Sequence, residues 1–133
     1  MAFVADNSVI VAWFIATQAT AYTRRLAQRA KREQVMVPAL WPYEFVNVLA
    51  VHRRRGILAE HHVARFIHQA ERLVDIESTP QAMAAIERLA AEHELSAYDA
   101  AYLELALRLG LPLAVRDGRL REAASTAGCL AGS

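Results

Sequence analysis

One cysteine, five glycines, four prolines and a single lysine are all that 133 residues hold of these types, and each scarcity removes a class of protein. Cys129 alone supports neither an internal disulfide framework nor a cysteine-built zinc cage, which suits a reducing compartment. Its expected place is a small buried or half-buried apolar position. The chain lacks repeats, low-complexity tracts and Gly/Ser linkers, so one domain is expected over residues 1–133. Its longest charge-free stretch, Asn7 to Thr23, is interrupted by Ser, Thr and Gln and is too polar for a membrane span. No basic segment precedes the first apolar run, which carries Asp6 instead, against a signal peptide. A cytoplasmic protein with no membrane partner is expected.

An excess of charge is also missing. Fifteen Lys+Arg stand against 14 Asp+Glu, a formal net charge of +1, so the chain is no polycation and any affinity for phosphate must be local. Lys31 is the only lysine. Arginine suits bidentate phosphate binding, although a GC-rich gene produces the same bias.

What is present is apolar material, 55% of residues, enough for one compact core at this length. Four short runs read as buried strands: Ala2 to Ala5, Gln34 to Val37, Leu73 to Ile76 and Leu113 to Val115. Helical periods fill the intervals: Tyr22 to Arg32 after a short apolar turn, Tyr43 to Arg55 closed by Gly56, and Ala59 to Arg72. A further helix, with Thr79 as N-cap and Pro80 at its first position, runs to His93. Ser96 caps Ala97 to Leu109, which stops at Gly110, and Leu120 to Ala127 is the last. Alternating strands and helices predict an α/β fold, a three-layer sandwich around a mostly parallel sheet of four to five strands. In such folds ligands collect at the carboxyl ends of the strands.

Four acids fall on that edge. Asp6 ends the first strand, Asp117 follows the fourth, and Glu44 and Asp99 lie in the first turns of their helices. Each except Asp6 has an ordinary structural explanation. The helix dipole favours an acid at a first turn, and Asp117 before Gly118 is a common turn residue. Together they are a different matter, because clustered carboxylates repel unless a cation neutralises them. An all-oxygen ligand set favours Mg²⁺ or Mn²⁺, and such an ion supports attack on a phosphodiester.

The segments Val4-Ala5-Asp6-Asn7-Ser8-Val9, Val37-Pro38-Ala39-Leu40-Trp41-Pro42-Tyr43-Glu44-Phe45-Val46-Asn47-Val48-Leu49 and Leu95-Ser96-Ala97-Tyr98-Asp99-Ala100-Ala101-Tyr102-Leu103-Glu104-Leu105-Ala106 carry a resemblance. In order and over nearly the whole length, the chain resembles the PIN-domain family, and within it the VapC-type ribonuclease toxins of toxin–antitoxin pairs. That resemblance implies an α/β/α sandwich, a Mg²⁺ or Mn²⁺ site, endoribonuclease activity on RNA, homodimerisation and a cognate antitoxin. It places the family's acids on Asp6, Glu44, Asp99 and Asp117, and on Ser8 a hydroxyl that bonds an acidic ligand or a metal-held water. The chain departs from the family at Val115, where a Thr or Ser often stands two residues before the fourth acid.

Other features weigh less. Arg116 and Arg119 flank Asp117 and are the basic residues best placed for RNA phosphate, while Arg24, Arg25, Arg29 and Arg32 and the run Arg53 to Arg55 read as solvated helix faces. No carboxylate motif surrounds His61, His62 and His68, which read as exposed rather than metal-binding. Tyr98 and Tyr102, four apart, read as packing along a helix, and Trp13, Phe14, Trp41 and Phe45 as core or a partner-facing patch. Two alternatives stand beside the nuclease: a catalytically silent PIN-fold module that binds RNA or protein, and an acidic-site phosphatase or phosphotransfer domain. The second is disfavoured, because no Asp-x-Asp follows the first strand.

Overall fold

A computed structural model describes residues 1–132. The strands are β1 (Ala2–Ala5), β2 (Gln34–Pro38), β3 (Asp75–Glu77) and β4 (Leu113–Ala114), all parallel in the order β3-β2-β1-β4. Seven helices surround them: α1 (Asn7–Phe14), α2 (Ala21–Ala30), α3 (Trp41–Arg54), α4 (Glu60–Leu73), α5 (Met83–His93), α6 (Ala97–Leu109) and α7 (Arg119–Thr126). A short 3-10 turn, Ala16–Gln18, links α1 to α2.

Phe3, Val4 and Ala5 are all fully buried. Successive strand residues point to opposite faces, so both faces of the sheet are covered and the molecule has three layers. The helices form two packing groups. One joins α1 to α2 and α3, and α3 to α4; the other sets α6 against α5, α7, β1, β2 and β4. The expected α/β sandwich is therefore present, with four parallel strands. One edge is extended by an isolated parallel bridge from Leu113 to Leu130, where the Leu113 amide donates to the Cys129 carbonyl at 2.7 Å and the Ala131 amide to Leu113 at 2.8 Å. Cys129 is half-buried, as expected, and burial raises its thiol pKa.

Three local expectations need correction. Asn7–Phe14 is a helix and not an apolar turn. Its residues Val9 to Ala12 are all buried, so it shows no polar face by which a helical period announces itself. The third strand begins at Asp75, because Leu73 completes the buried face of α4 that includes Val63 and Ala70. Thr79 caps nothing. Its amide is taken by Glu77 Oε1 at 2.9 Å in a turn, and the helix starts at Met83 after an uncapped Ala82.

The strand order places β1 between β2 on one side and β4 on the other. The chain runs outward from β1 to β2 and β3 and then crosses back to β4 on the other side of β1, and this reversal makes the carboxyl end of β1 the crevice where such sheets take ligands. Asp6 is the next residue.

Candidate active site

Asp6 is both the end of β1 and the N-cap of α1. Its amide donates to Ala114 of β4 at 2.9 Å, fixing the backbone from the sheet side. Its carboxylate accepts from the Ser8 amide at 3.1 Å and from Ser8 Oγ at 2.5 Å. Capping explains why an acid is tolerated here, since an Ncap oxygen satisfies a first-turn amide. Capping does not explain the burial: Asp6 is only 8% exposed. That burial pushes its carboxyl above the ordinary aspartate range, with the charge of Asp99 adding to the effect and the Ser8 bonds opposing it.

Glu44 reaches the same place from α3. Trp41, Phe45 and Leu49 are that helix's buried residues, four apart on one face, and anchor it in the core. Pro42 pre-sets the first turn, leaving Glu44 half-buried at the helix N-terminus. Burial raises its proton affinity, and the charges of Asp6 and Asp99 raise it further against a hydrogen bond from Tyr102. That bond, Tyr102 hydroxyl to Glu44 Oε1, measures 2.7 Å.

Asp99 comes from α6, which is buried continuously from Ala100 to Ala106. The Ser96 hydroxyl accepts from the Asp99 amide at 3.1 Å, the cap the sequence predicts, and Gly110 at φ 65° closes the helix where expected. Partial burial pushes Asp99 upward as well. Asp6, Glu44 and Asp99 thus lie within electrostatic reach of one another, and none takes part in an ion pair among the described residues.

Asp117 stands apart. It is exposed beyond β4, and the charges that raise Asp6 and Glu44 do not include it. It lines a shallow surface hollow with Gly118, Arg121, Glu122 and Ser125. Gly118, at φ 86° and ψ −168°, occupies backbone space essentially reserved for glycine and turns the chain sharply into α7. Among the described residues, no three His, Cys, Asp or Glu side chains are placed to hold one ion directly. The same holds for His61, His62 and His68, where His62 instead stacks on Phe66 with ring centroids 6.1 Å apart.

The arginines divide by role. Arg121 is structural: its Nη1 donates to the Val115 carbonyl at 2.6 Å, and its guanidinium lies 4.7 Å from the centre of the Tyr22 ring. Arg119 is exposed near Glu94, donating to its carbonyl at 3.3 Å. Arg116 is half-buried, with Nη1 at 3.4 Å from Gln18 Oε1 and a buried Nε that has no partner.

Tyr102 is the functional residue that sequence reasoning missed, since its spacing from Tyr98 read only as packing. It does pack, with no exposure at all. It also lies three residues after Asp99, on the same helix face, a relation visible in the sequence that points its hydroxyl to the acids. Trp41 and Phe45 prove to be core, each 2% exposed, and supply no partner-facing patch.

Residues 3–125 match the PIN domain family model. The chain belongs to the PIN-domain family. Ribonuclease VapC3 of Pyrobaculum aerophilum is 28% identical over 125 residues, covering 92% of this chain and 94% of that protein. The crystal structure of PAE2754, also from Pyrobaculum aerophilum, superposes with a TM-score of 0.74 at 23% identity over 92% of this chain and 79% of that one. The fold of the PIN domain is therefore shared across the layers described above, and its carboxyl rim is where Asp6, Glu44 and Asp99 meet. Among the described residues, no helix of this PIN domain is long and apolar enough to cross a membrane.

Proposed function

We propose that this PIN domain is a metal-dependent endoribonuclease, the toxin of a toxin–antitoxin pair, using Mg²⁺ or Mn²⁺ held by Asp6, Glu44 and Asp99, with Asp117 as an outer contributor. One observation carries the reading: three carboxylates crowd the switch point of the sheet, each driven toward protonation and none offset by a cationic side chain. Such an arrangement costs stability unless a cation completes it. The likeness to Ribonuclease VapC3 supports the choice of substrate.

The donor set fits the ion. It is entirely oxygen, as a hard cation requires. Mg²⁺ keeps several waters and takes only one or two carboxylates directly, so the ion would touch one or two of the three acids and reach the others through its waters. When bound, the ion supplies a Lewis acid that activates water and offsets charge developing on the phosphodiester.

The remaining work falls to the chain. Ser8 orients one Asp6 oxygen through two hydrogen bonds. Tyr102 holds Glu44 through Oε1 and so fixes its carboxylate beside the other acids. The amino ends of α1, α3 and α6 meet at the rim, and their dipoles favour an incoming phosphate. Arg116, with its buried unpartnered Nε, is the residue to hold the scissile RNA, and exposed Arg119 the next along. The cognate antitoxin and a second copy of this chain would cover apolar surface at Val46 and Ile76, 44% and 46% exposed, beside a small cavity lined by Trp41, Phe45 and Ile67. A cytoplasmic location goes with this reading.

The test is cleavage of a labelled single-stranded RNA by purified protein across a Mg²⁺ and Mn²⁺ titration, with calorimetry on the same samples. Cleavage abolished by chelation and by D6N is the expected outcome. Metal binding without cleavage identifies the catalytically silent module instead, and absence of metal binding overturns the site.

A further inference from the structure

Of four Phe, four Tyr and two Trp, Tyr43 and Tyr98 alone are largely exposed, at 80% and 65%. The other two tyrosines are anchored: Tyr22 donates its hydroxyl to the Ala131 carbonyl at 2.9 Å, and Tyr102 is buried against Glu44. Neither exposed ring has a hydrogen-bonding or aromatic partner among the described residues. Their positions are not scattered. Tyr43 immediately precedes Glu44 and Tyr98 immediately precedes Asp99, so each stands one residue from an acid of the candidate site.

The geometry of the helices sharpens this placement. Tyr98 and Tyr102 are four apart, so they share a face of α6, and Tyr102 points across to α3, where its hydroxyl meets Glu44. Tyr98 therefore sits one turn above that contact, on the side of α6 that faces α3. Helical side chains lean toward the N-terminus, and both tyrosines lie in first turns, so both rings lean outward past the rim. A ring this exposed contributes little to the core. A flat aromatic surface beside a phosphodiester-cleaving centre matches the unstacked bases of a single strand, which bind by stacking on aromatic side chains.

We infer that Tyr43 and Tyr98 form a pair of base-stacking surfaces that hold single-stranded RNA across the acidic site, setting which nucleotides lie over it. The inference rests on the ribonuclease reading. Its logic differs from that of the arginines, because stacking requires the base whereas phosphate contacts do not.

The experiment compares binding of oligoadenylate with binding of an abasic oligomer of equal length, by fluorescence anisotropy in chelator so that nothing is cleaved. The parent protein is expected to prefer the base-bearing strand. Y43A and Y98A each lower oligoadenylate affinity about fivefold to a hundredfold and leave abasic binding unchanged, while Y43F and Y98F restore the preference. Far-ultraviolet dichroism checks that the variants fold. A parent protein that binds both oligomers equally overturns the tyrosine assignment and leaves the ribonuclease reading intact. Binding of neither overturns both. If Y43A and Y98A leave RNA binding untouched but dissolve a dimer in sedimentation, the surface is a contact between copies and the inference fails.

Discussion

The two ends of the central strands β1 and β2 treat acids in opposite ways. At the amino end, Glu33 precedes β2 and receives a two-pronged grip from Arg29, Nε to Oε2 at 2.7 Å and Nη2 to Oε1 at 3.0 Å. Arg29 also lies 5.0 Å from the centre of the Phe3 ring and donates to the Gly132 carbonyl. The hydrogen bonds from Arg29 hold Glu33 below the usual glutamate range. At the carboxyl end, Asp6, Glu44 and Asp99 have no such cation, and burial drives all three upward. Acids that serve the fold are neutralised by the fold. Acids left unneutralised at the carboxyl end are the ones that the proposed metal ion would complete.

The strongest way to break this contrast is D6N. Loss of activity should exceed the ~10–100-fold typical of residues that only support a metal ligand, measured as initial cleavage rate in saturating Mg²⁺. Asparagine caps a helix as well as aspartate, so the fold should survive. With no metal present the variant should be more stable than the parent, because burial penalises the charged carboxylate and the charge of Asp99 adds to that penalty. Chemical denaturation in chelator reads this out, and a destabilised D6N would show that Asp6 serves the fold after all.

The same contrast predicts a pH profile. Asp6, Glu44 and Asp99 have raised affinities, so their ionisation penalises the metal-free fold above their folded pKa values and the penalty disappears as they protonate. Glu33 and Glu77 are lowered, so their contribution is present at neutral pH and lost as pH falls through the carboxylate range. Metal-free stability should therefore rise as pH first drops below neutral and fall again at lower pH. D6N should flatten the rise and spare the fall, and Mg²⁺ should suppress the rise in the parent.

Y102F probes a positioning role. It removes the bond to Glu44 Oε1 while keeping the ring, and should lower metal affinity about 10–100-fold. Because that bond lowers the Glu44 proton affinity, the variant's activity should also shift to higher pH, which a loss of packing alone would not produce. A smaller effect is expected from R116A: weaker RNA binding, with the salt dependence reduced by about one counterion, while metal affinity is unchanged. At the opposite pole, E33Q should cost about 1 kcal/mol of stability and leave cleavage as it is. If E33Q impairs cleavage as D6N does, the distinction between the two ends fails.

Much of this was legible in the chain. The first strand run ends at Asp6, Ser96 caps α6, Gly110 closes it, and three motifs in order carry the PIN resemblance. The hidden parts were hidden for physical reasons. α1 is buried along Val9 to Ala12, so no alternation marked it as a helix. Thr79 and Pro80 look like a helix start, but the Gln81 side chain is drawn to the Ala101 carbonyl and to Glu104, and the helix begins beyond it. Glu104 itself, buried between Gln81 and Arg108, gives no sign in sequence that separates it from an exposed helical acid. Nor does the sequence show that Asp117, just beyond β4, is exposed while Asp6 is buried.

The central place of β1 has a consequence for how the molecule is made. β1 leaves the ribosome before either of its partners, and in the finished sheet it is flanked by β2 and by β4, some eighty residues apart in the chain. Translation runs at about 5–20 residues per second, so β1 waits several seconds with one flank bare, and the Asp6 amide has no Ala114 carbonyl to meet. Pairings between such distant segments are slow to form and leave the incomplete chain prone to aggregation. The acids of the rim are all synthesised by residue 99, yet the backbone that fixes the first of them arrives with residue 114. A partly made chain carries the charges of the site without its shape until β4 has docked.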